Sequence, residues 1–184
     1  MQLIGVMVCL IAGSSAAAPG QSSQWVYDDL NGVAHHPLDP ADKAASVLIF
    51  YWQDCPISNS YAPELNRICA GHTNFAFYIV QIDPDLTPAA AREHARQFNL
   101  RAPVLLDPQH RLVKLAKAIV TPEAVVFGKN GLILYRGRID DRYLALGQKR
   151  AAATRHDLAE ALDALAAGKT VTTKETKAIG CLIQ

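Results

Sequence analysis

The run Val47 to Trp52 (VLIFYW) is apolar without a break and passes directly into Gln53-Asp54-Cys55-Pro56. With Ser46 it has the length of one strand, and its lack of alternation suits a strand covered on both faces of a parallel sheet. A helix is expected behind it, starting near Ser58 or Asn59 and running to about Gly71. Leu65, Ile68, Cys69 and His72 recur there at helical spacing and mark the buried face. A cysteine where a strand hands over to a helix meets unpaired amides and the positive end of the helix dipole, which favour a thiolate. The stretch therefore asks for an α/β layout and points to redox chemistry.

The remaining segments fit that layout. Trp25 to Leu30 followed by Asn31-Gly32 reads as a short strand and turn, and AHHPLDPADK as loop. His35 and His36 read as solvated loop residues, since no second ligand pair has metal spacing. Phe75 to Ile82 is a second buried strand. Thr87-Pro88 starts a helix with a capping hydroxyl and a proline at the first helical position, and the helix stops around Asn99. Pro103 to Leu106 forms a short strand and PQHRLVKLAKAI a further helix. AVVFGKNGLILYRGRI is a hairpin about Lys129-Asn130-Gly131. Thr154 and Asp157 have capping-box spacing before a last helix, and Gly168 ends it. A polar tail from about residue 169 looks mobile and carries Cys181. Alternating strand and helix units argue a mostly parallel sheet covered on both faces, with the hairpin adding antiparallel strands.

At 184 residues the chain is one domain's worth, and a 50% hydrophobic, 19% charged composition is globular. A net charge of +1 gives no electrostatic reason to expect nucleic acid or an anionic membrane as partner. LIGVMVCLIA followed by GSSAAAPG reads as a secretory signal over residues 1–18, cleaved near Ala18, although no Lys or Arg precedes it. No later run approaches a membrane span. Residues 19–184 are then expected as a single exported domain in a bacterial periplasm or outside the cell. That mature chain keeps Cys55, Cys69 and Cys181, an odd number in an oxidising compartment. Cys69, on the helix face, reads as a core residue.

The order of elements, the cysteine at the helix start and Thr121-Pro122 ahead of the hairpin resemble the thioredoxin-like fold. More narrowly, the chain is similar to exported redoxin-domain proteins of peroxiredoxin-like or thioredoxin-like type. The fold class implied is a three-layer α/β/α arrangement with a central mixed sheet, a C-terminal β-hairpin and a closing helix. The resemblance assigns Cys55 of the CPIS motif to the nucleophilic position, with Pro56 behind it. It assigns Thr121-Pro122 to the dipeptide whose proline is cis and lies against the active sulfur. It assigns Arg136-Gly137-Arg138 to the substrate rim, where guanidinium groups near Cys55 would lower its pKa. Departures are equally specific. Ser58 stands where the second CxxC cysteine belongs, and Ile49 replaces the thioredoxin buried acid. Leu48 and Trp52 replace the peroxiredoxin proline and threonine, so peroxidase activity is not supported.

Two readings follow. In the first, the protein is an exported thiol–disulfide oxidoreductase acting on protein thiols and disulfides, with no organic cofactor and no metal. Cys55 is its nucleophile, and Cys181 is a resolving thiol in cis or across a homodimer. In the second, it is a non-catalytic module that handles copper or docks a partner. Cys181 also fits a packed apolar end, AIGCLI, and Cys55 is open to pairing with Cys69 or Cys181. Asp54 is expected to face solvent, and Ser58 and Asn59 to cap the helix.

Overall fold

The apolar run is the middle strand of a five-stranded sheet in the computed structural model, which describes residues 25–184. The expected signal segment lies outside the described residues. Strands β1 (Tyr27–Asp28) and β2 (Ala34–His35) pair as a short hairpin ahead of it. All seven residues of β3 (Ala45–Tyr51) are buried. Helix α1 (Pro56–Gly71) leads to β4 (Ala76–Gln81), and α2 (Pro88–Gln97) leads to β5 (Val104–Leu106). Then come α3 (Arg111–Ala116), β6 (Val120–Thr121), and the hairpin β7 (Glu123–Gly128) and β8 (Ile133–Gly137). A small hairpin β9 (Tyr143–Ala145) and β10 (Gln148–Lys149) precedes α4 (Asp157–Ala166), and β11 (Cys181–Leu182) closes the chain.

The main sheet has the order β5-β4-β3-β7-β8. β3, β4 and β5 are parallel, and β7 and β8 add antiparallel to them in turn. Parallel neighbours need crossovers, which α1 and α2 supply. Right-handed crossovers that progress in one direction put both helices on one face. Accordingly Tyr61, Leu65 and Ile68 of α1, Ala91 of α2, and Leu158 and Leu162 of α4 pack with Val47, Ile49 and Tyr51. Leu48 and Phe50 point the other way, onto Leu112 and Val113 of α3, with Trp25, Tyr27 and Ile183 alongside. The two-residue period of β3 thus divides one apolar run between two core layers.

The Thr87 cap forms as expected, its hydroxyl accepting from the Ala90 amide at 3.2 Å. Two other helix starts differ from expectation. α1 begins at Pro56 with Cys55 as its N-cap residue, so the cysteine belongs to the helix end itself. The Thr154–Asp157 capping box does not form, because Asp141 captures the Thr154 amide at 2.7 Å, the Thr154 hydroxyl and the Arg155 amide. Those donors hold the Asp141 carboxyl well below the usual range.

The tail is not a loose strand of polar residues. The Arg136 amide donates to Lys174 O at 2.9 Å, and the Thr176 amide donates to Arg136 O at 3.0 Å, so the tail covers the β8 edge. Gly137, at φ 143°, makes this possible, because any Cβ there would collide with Thr176. The tail then crosses to pair β11 with β6.

Candidate active site

Cys55 sits at the start of α1 with extended backbone (φ −84°, ψ 110°), its carbonyl accepting from the Asn59 amide at 3.0 Å. Its side chain caps nothing, and Pro56, exposed, is the first helical residue. The sulfur is therefore not used in capping, although it lies at the positive end of a 16-residue helix. It is fully buried and forms a disulfide with Cys181, 126 residues away, with a Cα–Cα distance of 6.1 Å. The tail brings Cys181 there by backbone pairing. Cys181 faces Thr121, Leu182 faces Val120, and the Ile183 amide donates to Ile119 O at 3.0 Å.

The Thr121–Pro122 peptide is cis, and both residues are buried. The Thr121 carbonyl oxygen lies 3.2 Å from Cys55 Sγ. In the disulfide this is a contact. In a reduced form it would accept from the thiol and oppose a thiolate, against the pull of the helix end. Ser58 is buried one turn into α1. Its hydroxyl and that of Thr121 have no hydrogen-bond partner among the described residues. Ser58 therefore does not cap the helix. Asn59 does not either.

Asn59 instead serves a polar chain behind the cysteine loop. Its amide nitrogen donates to Gln53 O at 2.8 Å, and its Oδ1 accepts from Tyr51 Oη at 2.9 Å. The same Oδ1 lies 2.9 Å from His94 Nε2, and His94 Nδ1 lies 3.3 Å from Gln81 Nε2. An oxygen at one end and an NH2 group at the other assign a neutral imidazole with its proton on Nε2. Burial lowers the His94 pKa, and the exposed Asp54 carboxylate opposes that only in part. Nothing in the helix-like string AAAREHARQF marks His94 as this contact, because its partners Asn59 and Gln81 come from two other elements, α1 and β4.

Glu123 is the other residue that sequence reasoning passed over. It is buried immediately after Pro122 and accepts from the Ile119 amide at 2.9 Å. Burial raises its pKa, while the amides of Ile119 and Val120 pull it down. The carboxyl thereby braces the segment that receives the tail. A charged residue after a proline reads as surface, so the sequence carries no signal for it.

Among the described residues, the guanidinium partners of Arg136 and Arg138 are acids rather than Cys55. Gly137 pairs with Ala124, two residues beyond Pro122. The Arg136 guanidinium is tied to Glu175. That of Arg138 makes a two-pronged bond to Asp157, at 2.7 and 3.2 Å. Cys69 has no disulfide partner among the described residues, is half-buried on α1, and burial pushes its thiol up to about 12. His35 bonds Asp29 at 3.1 Å, and His36 is exposed. Among the described residues, the three donors close enough to share an ion are Glu64, Asp140 and His156, a group without a cysteine. Glu64 and Asp140 are already paired with Arg67 and Arg142. No helix among the described residues is long and apolar enough to cross a membrane.

No protein-family profile and no curated protein sequence matches the chain. Solved structures do. An uncharacterized conserved protein from Geobacillus kaustophilus is 24% identical with a TM-score of 0.75, over 87% of each chain. A hypothetical protein from Sinorhizobium meliloti is 24% identical with a TM-score of 0.70, over 86% of this chain and 88% of that one. A secreted Mycobacterium tuberculosis disulfide oxidoreductase homologous to E. coli DsbE is 19% identical with a TM-score of 0.56, over 79% and 99%. The fold is thioredoxin-like, a mixed α/β sheet of redoxin type.

Proposed function

We propose that this is an exported thiol–disulfide oxidoreductase whose two redox sulfurs are Cys55 and Cys181. The observation that supports it is a cysteine at a helix start, bonded to a second cysteine that the chain's last residues deliver beside Thr121. The pair replaces the dithiol that Ser58 denies to the CPIS motif. Residues 1–18 would be removed as a signal, leaving 19–184 as one domain in an oxidising compartment where such a disulfide persists. The oxidoreductase described for Mycobacterium tuberculosis is secreted, which agrees with that destination.

In the reduced form, the Cys55 thiolate attacks one sulfur of a protein disulfide, and the other substrate sulfur leaves as a thiolate. The Cys181 thiolate then attacks Cys55 Sγ in the mixed disulfide. This expels the second substrate thiolate and forms Cys55–Cys181. Two electrons pass from the protein dithiol to the substrate, and an external dithiol restores the reduced form. The reverse sequence oxidises a substrate dithiol. Pro56, Ser58, Thr121 and Pro122 line the reacting sulfur, and Arg136, Gly137 and Arg138 act behind them by anchoring the tail. With Cys181 committed within one chain, a homodimer bridged through it would form only after that disulfide opens.

Equilibration in glutathione buffers, quenched by alkylation and read by mass, tests the reading. A single two-electron transition is expected, together with insulin reduction that Cys55→Ser abolishes. A folded protein whose disulfide never exchanges with glutathione would leave a partner-docking scaffold instead. One observation favours a copper-handling alternative: the two sulfurs converge, and paired thiolates suit Cu(I). Stoichiometric Cu(I) binding by the reduced protein, without insulin reduction, would select it.

A further inference from the structure

The last residues of the chain are more than a carrier for a sulfur. Cys181 and Leu182 lie antiparallel on Thr121 and Val120, and Ile183 continues the pairing to Ile119. The tail thus depicts a cysteine-containing peptide strand in covalent contact with Cys55. It also records what such a strand must be. A Cβ on Gly180 would fall inside the 3.0 Å that real Cβ atoms keep from Thr121 O and, at 2.6 Å, from Thr121 C, with the Pro122 nitrogen at 3.2 Å. Those atoms belong to backbone, and Thr121 is itself fully buried and braced through Glu123, so the obstacle cannot swing aside. Leu182, one residue after the cysteine, is 71% exposed, whereas Ile183 packs on the second core layer.

We infer that the Val120–Thr121 edge beside Cys55 is a docking strip for an extended protein segment of pattern Gly-Cys-x-aliphatic, and that the chain's own tail occupies it in the oxidised protein. The inference rests on Cys55 being an exchanging sulfur, and adds which protein cysteines it takes. Backbone pairing supplies register, the glycine requirement excludes other sequences by collision, and the aliphatic residue fills the place of Ile183.

The arrangement also couples release to chemistry. Substrate strand and tail need the same backbone partners, so they cannot both lie on β6. In the mixed disulfide the substrate strand holds the edge. When the Cys181 thiolate displaces the substrate sulfur from Cys55, β11 re-forms on β6 and the peptide loses its pairing in the same event. Formation of one S–S bond, breakage of another and departure of the substrate thiolate balance without a further reagent.

The test uses full-length Cys181→Ser protein and the peptide Lys-Ala-Ile-Gly-Cys-Leu-Ile-Gln, activated as its mixed disulfide with thionitrobenzoate. Transfer of the peptide to Cys55 is timed by release of the coloured thiol. A second peptide carries alanine for the glycine, and a third carries serine for the isoleucine after the cysteine. We expect the glycine peptide to react about tenfold faster or more than the alanine peptide, with the serine peptide between them. Equal rates for all three, with Cys55 reactive, overturn the inference and leave the oxidoreductase reading standing. A Cys55 that reacts neither with the peptides nor with a plain aromatic disulfide overturns both. A second measurement does not depend on that variant. In the otherwise native chain, Gly180→Ala should lower the equilibrium constant for Cys55–Cys181 formation in glutathione buffer by about tenfold or more, and an unchanged constant sinks the steric argument.

Discussion

His94 Nε2 lies 2.9 Å from Asn59 Oδ1, so a side chain of α2 holds the residue that in turn holds the Gln53 carbonyl in the loop before Cys55. The bond uses the neutral imidazole. Burial lowers the His94 pKa in the folded protein, so the unfolded chain takes the proton more readily. The stability this group contributes is present above its unfolded value of about 6.5 and is lost as pH falls from there toward the lowered folded value. Asp107 and Glu123, whose pKa values burial raises, act in the opposite sense as pH falls and are common to wild type and variant. Between about pH 7.5 and 5.5 the imidazole should therefore pull the urea midpoint of the wild type down. The midpoint of His94→Gln should fall less, or rise more, over the same range than that of the wild type, and the difference between the two isolates the imidazole.

Arg138 and Asp157 make a pair whose halves are unequal. Asp157 is 4% exposed while the Arg138 side chain is 30% exposed. Removing the guanidinium strands a carboxylate in the core, whereas removing the carboxylate leaves an arginine that can reach water. Arg155, 3.9 Å away, and the α4 start soften the first loss. Arg138→Ala should cost about 2–3 kcal/mol, less than the 3–5 kcal/mol typical of a fully buried pair, and Asp157→Asn about 1 kcal/mol. Chemical denaturation of the two variants reads the asymmetry, and equal costs would count against it.

What could be read ahead of the structure divides by distance along the chain. The β3 run, the Thr87 cap and the turn at Gly131 are each specified within a few neighbouring residues, and each forms. The thioredoxin-like order of elements followed from them. The site was half legible. Cys55 and Thr121-Pro122 carry local signatures, and the structure brings them together. The tail does not, because its polar composition gives no hint that Gly137 and Gly180 open two narrow passages for it. The partners of the rim arginines were hidden for a related reason. The arginines' positions on the hairpin were foreseeable, but the acids that pair with them, Glu175 and Asp157, lie 39 and 19 residues downstream. Thr154 shows the same competition across the β9–β10 hairpin, where a local capping pattern lost to the Asp141 carboxylate, which gathers three donors.

Cys69 should be inert. A thiol whose pKa burial pushes up to about 12 has almost no thiolate near neutrality, and thiolate is the reactive form. In reduced native protein, brief iodoacetamide treatment should label Cys55 and Cys181 and spare Cys69 until denaturant is added. Labelling of Cys69 at a comparable rate would mean that α1 opens far more readily than its packing indicates.

The Cys55–Cys181 bridge joins residues 126 apart in sequence, about four fifths of the described chain. In the chain-entropy account, such a loop restricts the unfolded ensemble by about 5 kcal/mol, an upper figure because measured bridges often deliver less. Oxidised protein should therefore unfold at a higher denaturant concentration than reduced protein. Cys181→Ser should match the reduced wild type and be insensitive to reductant. Cys55→Ser should behave the same way, and the double variant should lose no more than either single one, since both remove one shared bond. A Cys55→Ser loss well beyond the Cys181→Ser loss would point to a second role for the buried sulfur, in contact with the Thr121 carbonyl or with the end of α1.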